Sequence, residues 1–132
     1  MSIEEKIEQK ILKWKDGDCK LSCRDRTVIE GNKATYYLWT SPVVTIYKKT
    51  DGKYKVEFSF CGWQTYTTKE RISYLLRVFA DCYIFQKDWK LYLNDSNNNI
   101  YPIDSGKSYT VEDGKLLDVL GREVKAIENF KR

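Results

Sequence analysis

The chain has 132 residues, of which 42% are hydrophobic and 32% are charged, and its formal net charge is +4. This length and composition predict one folded, soluble domain and exclude a disordered chain. The mild positive charge permits contact with nucleic acid, falls short of a strongly basic binder, and argues against an acidic DNA mimic.

The chain begins with a predicted helix from about Ser2 to Lys15. Ser2 and Glu5 form a capping box at its start. Apolar residues then recur at intervals of three and four, at Ile3, Ile7, Ile11 and Trp14. We expect this amphipathic helix to dock on a sheet, although the apolar stripe leaves open a role in dimerisation or partner binding.

Strand patterns follow as far as residue 60. The predicted strands are Thr27–Glu30, Thr35–Thr40, Val43–Lys49 and Tyr54–Phe60, and Cys19–Arg26 is either irregular or a short edge strand. Thr50-Asp51-Gly52 is a strong hairpin turn, so the hairpin over about residues 43–60 is the clearest element. Ser41-Pro42 is expected to break the preceding strand.

The main predicted helix covers about residues 68–82. Thr67 and Glu70 form a Thr-x-x-Glu capping box at its start. Its wide apolar stripe consists of Ile72, Leu75, Leu76, Phe79 and the Cys82–Tyr83 pair. Arg71 and Arg77 fall outside this stripe.

Short strands and turns fill the rest of the chain. The predicted strands are Tyr83–Trp89, Lys90–Asn94, Ile100–Ile103 and Ser108–Val111, and Asp95–Asn99 is a turn. The tail, residues 115–132, predicts strand or loop before Gly121 and a short helix after it. The whole predicts a single α+β domain with an antiparallel sheet, a central helix after a β-hairpin, and an N-terminal helix.

The sequence contains no histidine. This excludes the commonest general base, the Ser-His and Cys-His pairs, and most catalytic zinc sites. The glycines are scattered and form no phosphate-binding loop. Carboxylate pairs at Asp16/Asp18 and Glu112/Asp113 are explained by turn formation. We therefore predict a non-enzymatic protein without a cofactor.

The four cysteines are Cys19, Cys23, Cys61 and Cys82, which we expect to be reduced and buried. Only the first two are close-spaced, so a four-cysteine zinc site is the less favoured alternative. No run of about twenty apolar residues predicts a membrane span. The acidic N-terminus is unlike a signal peptide, which favours the cytosol.

The segment from Gly62 to Ile72 joins the hairpin to the main helix and is dense in aromatic and polar groups. In the structural interpretation, which we favour, Trp63 fills the core and the threonines satisfy the helix start. In the functional interpretation, the helix start binds an anion with Lys69 and Arg71, and Tyr66 or Trp63 stacks on a base. The two interpretations are compatible.

Lysines also cluster at the hairpin tip. They are either solvated charges that discourage edge-to-edge pairing or a basic finger that contacts a phosphate backbone. The resulting candidate binding residues are Lys48, Lys49, Lys53, Lys55, Trp63, Tyr66, Lys69 and Arg71. Together the cations among them form the most basic half-surface that the sequence offers.

The pattern Gly-Trp-x-Thr-x-Thr-Thr-Lys-x-Arg-Ile at residues 62–72 resembles the core of a family of small bacteriophage accessory proteins. The resemblance covers roughly Ser41 to Trp89 and leaves out the N-terminal helix and the tail. Ser73 stands where the family usually has asparagine. The resemblance implies a phage origin, the host-cell cytoplasm and, by association, inhibition of a host defence system.

Three functions remain open from the sequence. The first is a non-enzymatic phage protein that occupies the surface of a host protein or nucleic acid. The second is a nucleic-acid-binding accessory protein with weak sequence preference, and the third is a nucleotide or small-ligand binder at the helix start. No membrane partner is expected, a homodimer stays open, and an enzyme is the least favoured class.

Overall fold

The computed structural model describes residues 17–20 and 24–131, with side chains from Arg24 onward. The predicted helix over residues 2–15 lies outside this range. The strands are β1 (Gly17–Lys20), β2 (Asp25–Glu30), β3 (Lys33–Leu38), β4 (Ser41–Lys48), β5 (Tyr54–Ser59), β6 (Tyr83–Lys87), β7 (Lys90–Asn94), β8 (Ile100–Ile103), β9 (Ser108–Glu112) and β10 (Lys115–Leu117), and helix α1 is Tyr66–Ala80. Within the described part of the chain, no helix has the length and apolarity needed to cross a membrane.

The strands form two antiparallel sheets. The larger sheet has the order β1-β2-β3-β4-β5-β9-β10, and the smaller has the order β6-β7-β8. Helix α1 contacts β4 and β5 of the larger sheet and β6 of the smaller one. The α+β class with a helix after the hairpin is confirmed. The expectation of one sheet is corrected, because β6 to β8 pair with one another while β9 crosses back to β5.

One apolar core joins the helix to both sheets. Strand β5 alternates, with Val56 and Phe58 buried and Lys55 and Glu57 half-exposed. The buried stripe of the helix includes the predicted Ile72, Leu75, Leu76 and Phe79. The core faces of the hairpin and the helix therefore follow from residue periodicity.

Strands β4 and β5 form the predicted hairpin. The Gly52 N–H donates to the Lys49 carbonyl at 3.0 Å, and Gly52 has a φ of 84°. Pro42, which was expected to break the strand run, lies inside β4. It is tolerated because the ladder with β5 begins only at Val44, so Pro42 stands where β5 requires no N–H donor.

The short helix predicted after Gly121 is wrong. The Val124 N–H donates to the Leu116 carbonyl at 2.8 Å, and the Ile127 N–H donates to the Ile100 carbonyl at 2.7 Å. Leu116 belongs to the larger sheet and Ile100 to the smaller one. The apolar spacing that suggested a helix instead reflects an irregular segment that contacts each sheet in turn.

Candidate functional site

A tight turn joins β5 to α1. The Trp63 N–H donates to the Phe60 carbonyl at 2.8 Å, and Cys61 and Gly62 have φ values of 52° and 81°. Phe60 is fully buried, whereas Trp63 is 62% exposed. The prediction that Trp63 fills the core is therefore wrong. Phe60 ends the inward face of β5, and the turn then directs the next aromatic side chain to solvent.

Helix α1 begins at Tyr66, and Thr65 is its N-cap. Thr65 Oγ1 accepts the Thr68 N–H at 3.2 Å and lies 2.8 Å from Thr68 Oγ1. The predicted capping box between Thr67 and Glu70 is wrong, because the helix starts earlier. Glu70 instead accepts a hydrogen bond from the Tyr66 hydroxyl at 2.7 Å.

We expect Thr65→Ala to lower the free energy of unfolding by about 1 kcal/mol, because it removes the side-chain oxygen that caps the helix. Thr67→Ala is the matched control and should change this free energy by less than about 0.5 kcal/mol. Urea unfolding followed by circular dichroism measures both. A larger loss for Thr67→Ala than for Thr65→Ala would contradict the assignment of the cap.

A cleft of about 580 Å³ lies between the β3–β4 turn and the start of α1. This tryptophan cleft is lined by Arg24, Leu38, Trp39, Thr40, Ser41, Val43, Trp63, Thr65, Thr67 and Thr68. Trp39 and Trp63 are each 62% exposed, while Leu38 and Val43 are buried. None of these lining residues is acidic. The cleft thus combines an apolar base, two exposed indoles, several hydroxyls and one guanidinium.

Two exposed tryptophans occupy left-handed turn positions. Trp39 follows β3 with a φ of 59°, and Trp89, with a φ of 66°, follows Asp88 in the turn between β6 and β7. Bulky residues rarely adopt this conformation, and such hairpin turns favour Asn-Gly or Asp-Gly. Trp89 is also 86% exposed. Local conflicts of this kind concentrate at functional sites.

The exposed aromatic residues are gathered around the turn before α1. Gln64 Nε2 donates to the Trp89 carbonyl at 2.8 Å, which ties the β6–β7 turn to this segment. Tyr66 is 68% exposed, and Lys69 Nζ lies 5.3 Å from the centroid of its ring. We call Trp39, Trp63, Tyr66 and Trp89 the aromatic surface. The predicted candidates Trp63, Tyr66 and Lys69 all lie in or beside it.

Arg71, predicted to contact a ligand at the surface, is buried. Its Nε donates to Oδ1 of Asp25 at 3.0 Å, and Asp25 is fully buried. The Tyr36 hydroxyl donates to the same carboxylate, and Arg24 Nε lies 3.5 Å from its other oxygen. Burial, and then the hydrogen bond to Asp25, raise the pKa of Tyr36 above its ordinary value, so the hydroxyl keeps its proton. Arg71 is turned inward because a buried carboxylate requires a cation.

The four hairpin lysines lie far from the aromatic surface. They sit at the opposite end of β5, roughly 20 Å away at about 3.3 Å per residue. Lys49 Nζ lies 3.1 Å from Glu112 Oε2 and 3.4 Å from Asp113 Oδ1, and Lys55 Nζ lies 4.5 Å from the centroid of the Tyr47 ring. The other two, Lys48 and Lys53, are exposed. The predicted basic half-surface is therefore divided between two ends of the domain.

Cys61 and Cys82 are free thiols. Burial raises the pKa of Cys82 to about 12, which keeps it protonated and unreactive. Cys61 is exposed, contrary to the expectation that it is buried. The described residues contain no group of three or more metal-ligating side chains. The side chains of Cys19 and Cys23 lie outside the described range.

The strand patterns place Trp39 and Trp89 in strands, whereas both are exposed residues in left-handed turn positions. A usable signal existed for Trp89, since Tyr83–Trp89 and Lys90–Asn94 were predicted as successive strands. Antiparallel strands that follow one another directly require a turn at their junction. The same reasoning applies to Trp39, which stands just before Ser41-Pro42.

Comparison with known proteins gives one family. The family model described as Kyanoviridae Gp96 protein matches residues 3–111. No curated protein and no solved structure matches the chain. The bacteriophage resemblance drawn from residues 62–72 is confirmed, and the match is wider than the Ser41–Trp89 range expected. It takes in the N-terminal segment, which was expected to lie outside, and it ends within β9.

Proposed function

The chain belongs to the Kyanoviridae Gp96 protein family and is a phage-encoded accessory protein; from this premise we propose that it is a non-enzymatic protein that binds and occupies the surface of a host protein. The observation that carries the proposal is the aromatic surface, with four large side chains that are each at least 62% exposed. Inhibition of a host defence system is the outcome we assign to this binding.

The composition of the aromatic surface is that of a binding hot spot. Tryptophan and tyrosine are enriched at the centres of protein interfaces, where truncation of a few residues removes most of the affinity. Monomers rarely leave large apolar patches in water without a function. The tryptophan cleft adds a concave site with polar groups next to these side chains. The absence of histidine from the sequence supports a binding role over catalysis.

A protein partner is favoured over nucleic acid because most of the predicted cationic binding residues do not lie beside the aromatic surface. Affinity for a phosphate backbone grows with the number of lysines and arginines that contact it. Arg71 is buried, and Lys49 and Lys55 are held by contacts at the far end of β5. Among the described cations, Arg24, Lys69 and Lys90 line or adjoin the aromatic surface, and Arg77 lines a cavity together with Tyr66.

Affinity capture from a host-cell lysate, with and without nuclease, tests the proposal. We expect nuclease-resistant capture of a protein, reduced at least about 10-fold by Trp39→Ala combined with Trp63→Ala. Leu120→Ala is the matched control, since Leu120 is an exposed apolar side chain in the turn after β10 and should leave capture unchanged. Capture that nuclease abolishes, or that survives the double substitution, would contradict the proposal.

A further inference from the structure

We propose that the tryptophan cleft accepts a segment of the partner protein in which an apolar side chain stands next to a carboxylate. This inference rests on the proposed function and adds the chemistry of the partner. It makes the cleft the part of the aromatic surface that determines specificity.

The preference for an apolar side chain follows from the shape and lining of the cleft. Leu38 and Val43 are buried and supply its apolar lining, while Trp39 and Trp63 stand on its walls largely in water. A volume of about 580 Å³ is within the range of ligand-binding pockets and holds a large side chain with its flanking backbone. An apolar side chain seated here removes both indoles from water, which is favourable in proportion to the area covered.

The preference for a carboxylate follows from the polar groups that line the cleft. Arg24 supplies a guanidinium with five N–H donors, and its side chain remains 39% exposed beside Asp25. Thr40, Ser41 and Thr67 supply hydroxyls that can donate. The described lining residues include no carboxylate, and the first turn of α1 carries none. An incoming carboxylate therefore meets a guanidinium and hydroxyl donors, whereas an incoming cation meets the like charge of Arg24 and can gain only the weaker attraction of the indole faces and hydroxyl oxygens.

The net charge of +4 also favours an acidic partner segment, because long-range electrostatic attraction speeds the encounter of oppositely charged surfaces. The ion pair between Arg71 and Asp25 also fixes the site. It links α1, which carries one wall of the cleft, to β2, which follows Arg24 directly. A site held in place in this way binds with little ordering cost.

The test uses two dipeptides that differ only in charge, N-acetyl-Phe-Asp-amide and N-acetyl-Phe-Asn-amide. Nitrogen-15 NMR of the whole chain follows the indole N–H resonances during titration. We expect the acidic dipeptide to shift the Trp39 and Trp63 resonances, with a Kd about 5- to 10-fold lower than that of the neutral dipeptide. The Trp89 resonance, outside the cleft, should not move.

Arg24→Gln should remove the difference between the two dipeptides, and the spectrum itself shows whether the variant is folded. Arg26→Gln is the matched control, because Arg26 lies two residues later, in β2, with its guanidinium over the Tyr37 ring, and it should keep the difference. Equal Kd values, a difference that persists in Arg24→Gln, or no binding at roughly 10 mM would overturn the inference. So would tighter, salt-sensitive binding of oligothymidine at the same two indoles.

The two proposals fail separately. If both dipeptides bind the cleft equally, the acidic preference is lost while host-protein binding through the aromatic surface stands. If capture from lysate survives the double tryptophan substitution, the proposed function is lost whatever the dipeptides do.

Discussion

Asp25→Ala is expected to lower the free energy of unfolding by about 3–5 kcal/mol, because it removes a buried carboxylate that Arg71 contacts at 3.0 Å. Both side chains of this ion pair are almost fully buried, so neither charge is well hydrated. The Tyr36 hydroxyl, which donates to the same carboxylate, loses its acceptor as well. Urea unfolding measures the loss.

Two further variants separate charge from packing. Glu30→Ala, at an exposed position at the end of the same strand, is the matched control and should change stability by less than about 0.5 kcal/mol. Replacing both partners, as Asp25→Leu with Arg71→Met, should recover much of the loss, because no buried charge then remains from the pair. A loss below about 1 kcal/mol for Asp25→Ala would show that water reaches the pair.

The same ion pair explains why Arg71 could not be assigned from the sequence. Periodicity places charged residues outside an apolar stripe and treats them as exposed. Arg71 departs from this rule because Asp25, far away in the chain, is buried opposite it. Only the tertiary fold, in which α1 packs on the larger sheet, brings the two together, and no local pattern reports that contact.

Local features of the fold were predictable because they depend on residues that are close together in the sequence. The hairpin of β4 and β5 depends on an Asp-Gly turn and on side-chain alternation, and the helix depends on an apolar stripe, all within short stretches of sequence. The return of β9 to pair with β5 depends on contacts across the whole domain. The division into two sheets therefore did not follow from strand patterns alone.

The candidate site was located in the right segment but with the wrong residue in the core. Trp63 was predicted to fill the core at the junction of strand and helix, but Phe60, three residues earlier, is the buried aromatic side chain there. The turn at Cys61 and Gly62 decides otherwise, because it ends the alternation of β5 at Phe60. The sequence therefore predicts where the junction lies but not which aromatic residue faces solvent there.

Phe60→Ala is accordingly expected to lower the free energy of unfolding by about 3–5 kcal/mol, whereas Trp63→Ala should cost less than about 1 kcal/mol. Phe60 is fully buried, so its truncation leaves a cavity in the core, whereas Trp63 is 62% exposed and its truncation leaves none. If Phe60→Ala fails to fold, Phe60→Leu provides a milder measurement, with an expected loss smaller than that of Phe60→Ala because it leaves a smaller cavity. Urea unfolding of these variants tests the difference.

In partner capture, substitution of Trp63 should have a larger effect than substitution of Phe60, the reverse of their order in stability. Trp63→Ala retains the fold and loses binding, because its indole contributes contact area at the surface rather than packing in the core. Phe60→Leu, at a temperature where it is folded, should retain capture, because Phe60 lies beneath the surface. If Trp63→Ala proved as destabilising as Phe60→Ala, the indole would belong to the core. Trp63 would then no longer count as a binding residue of the tryptophan cleft.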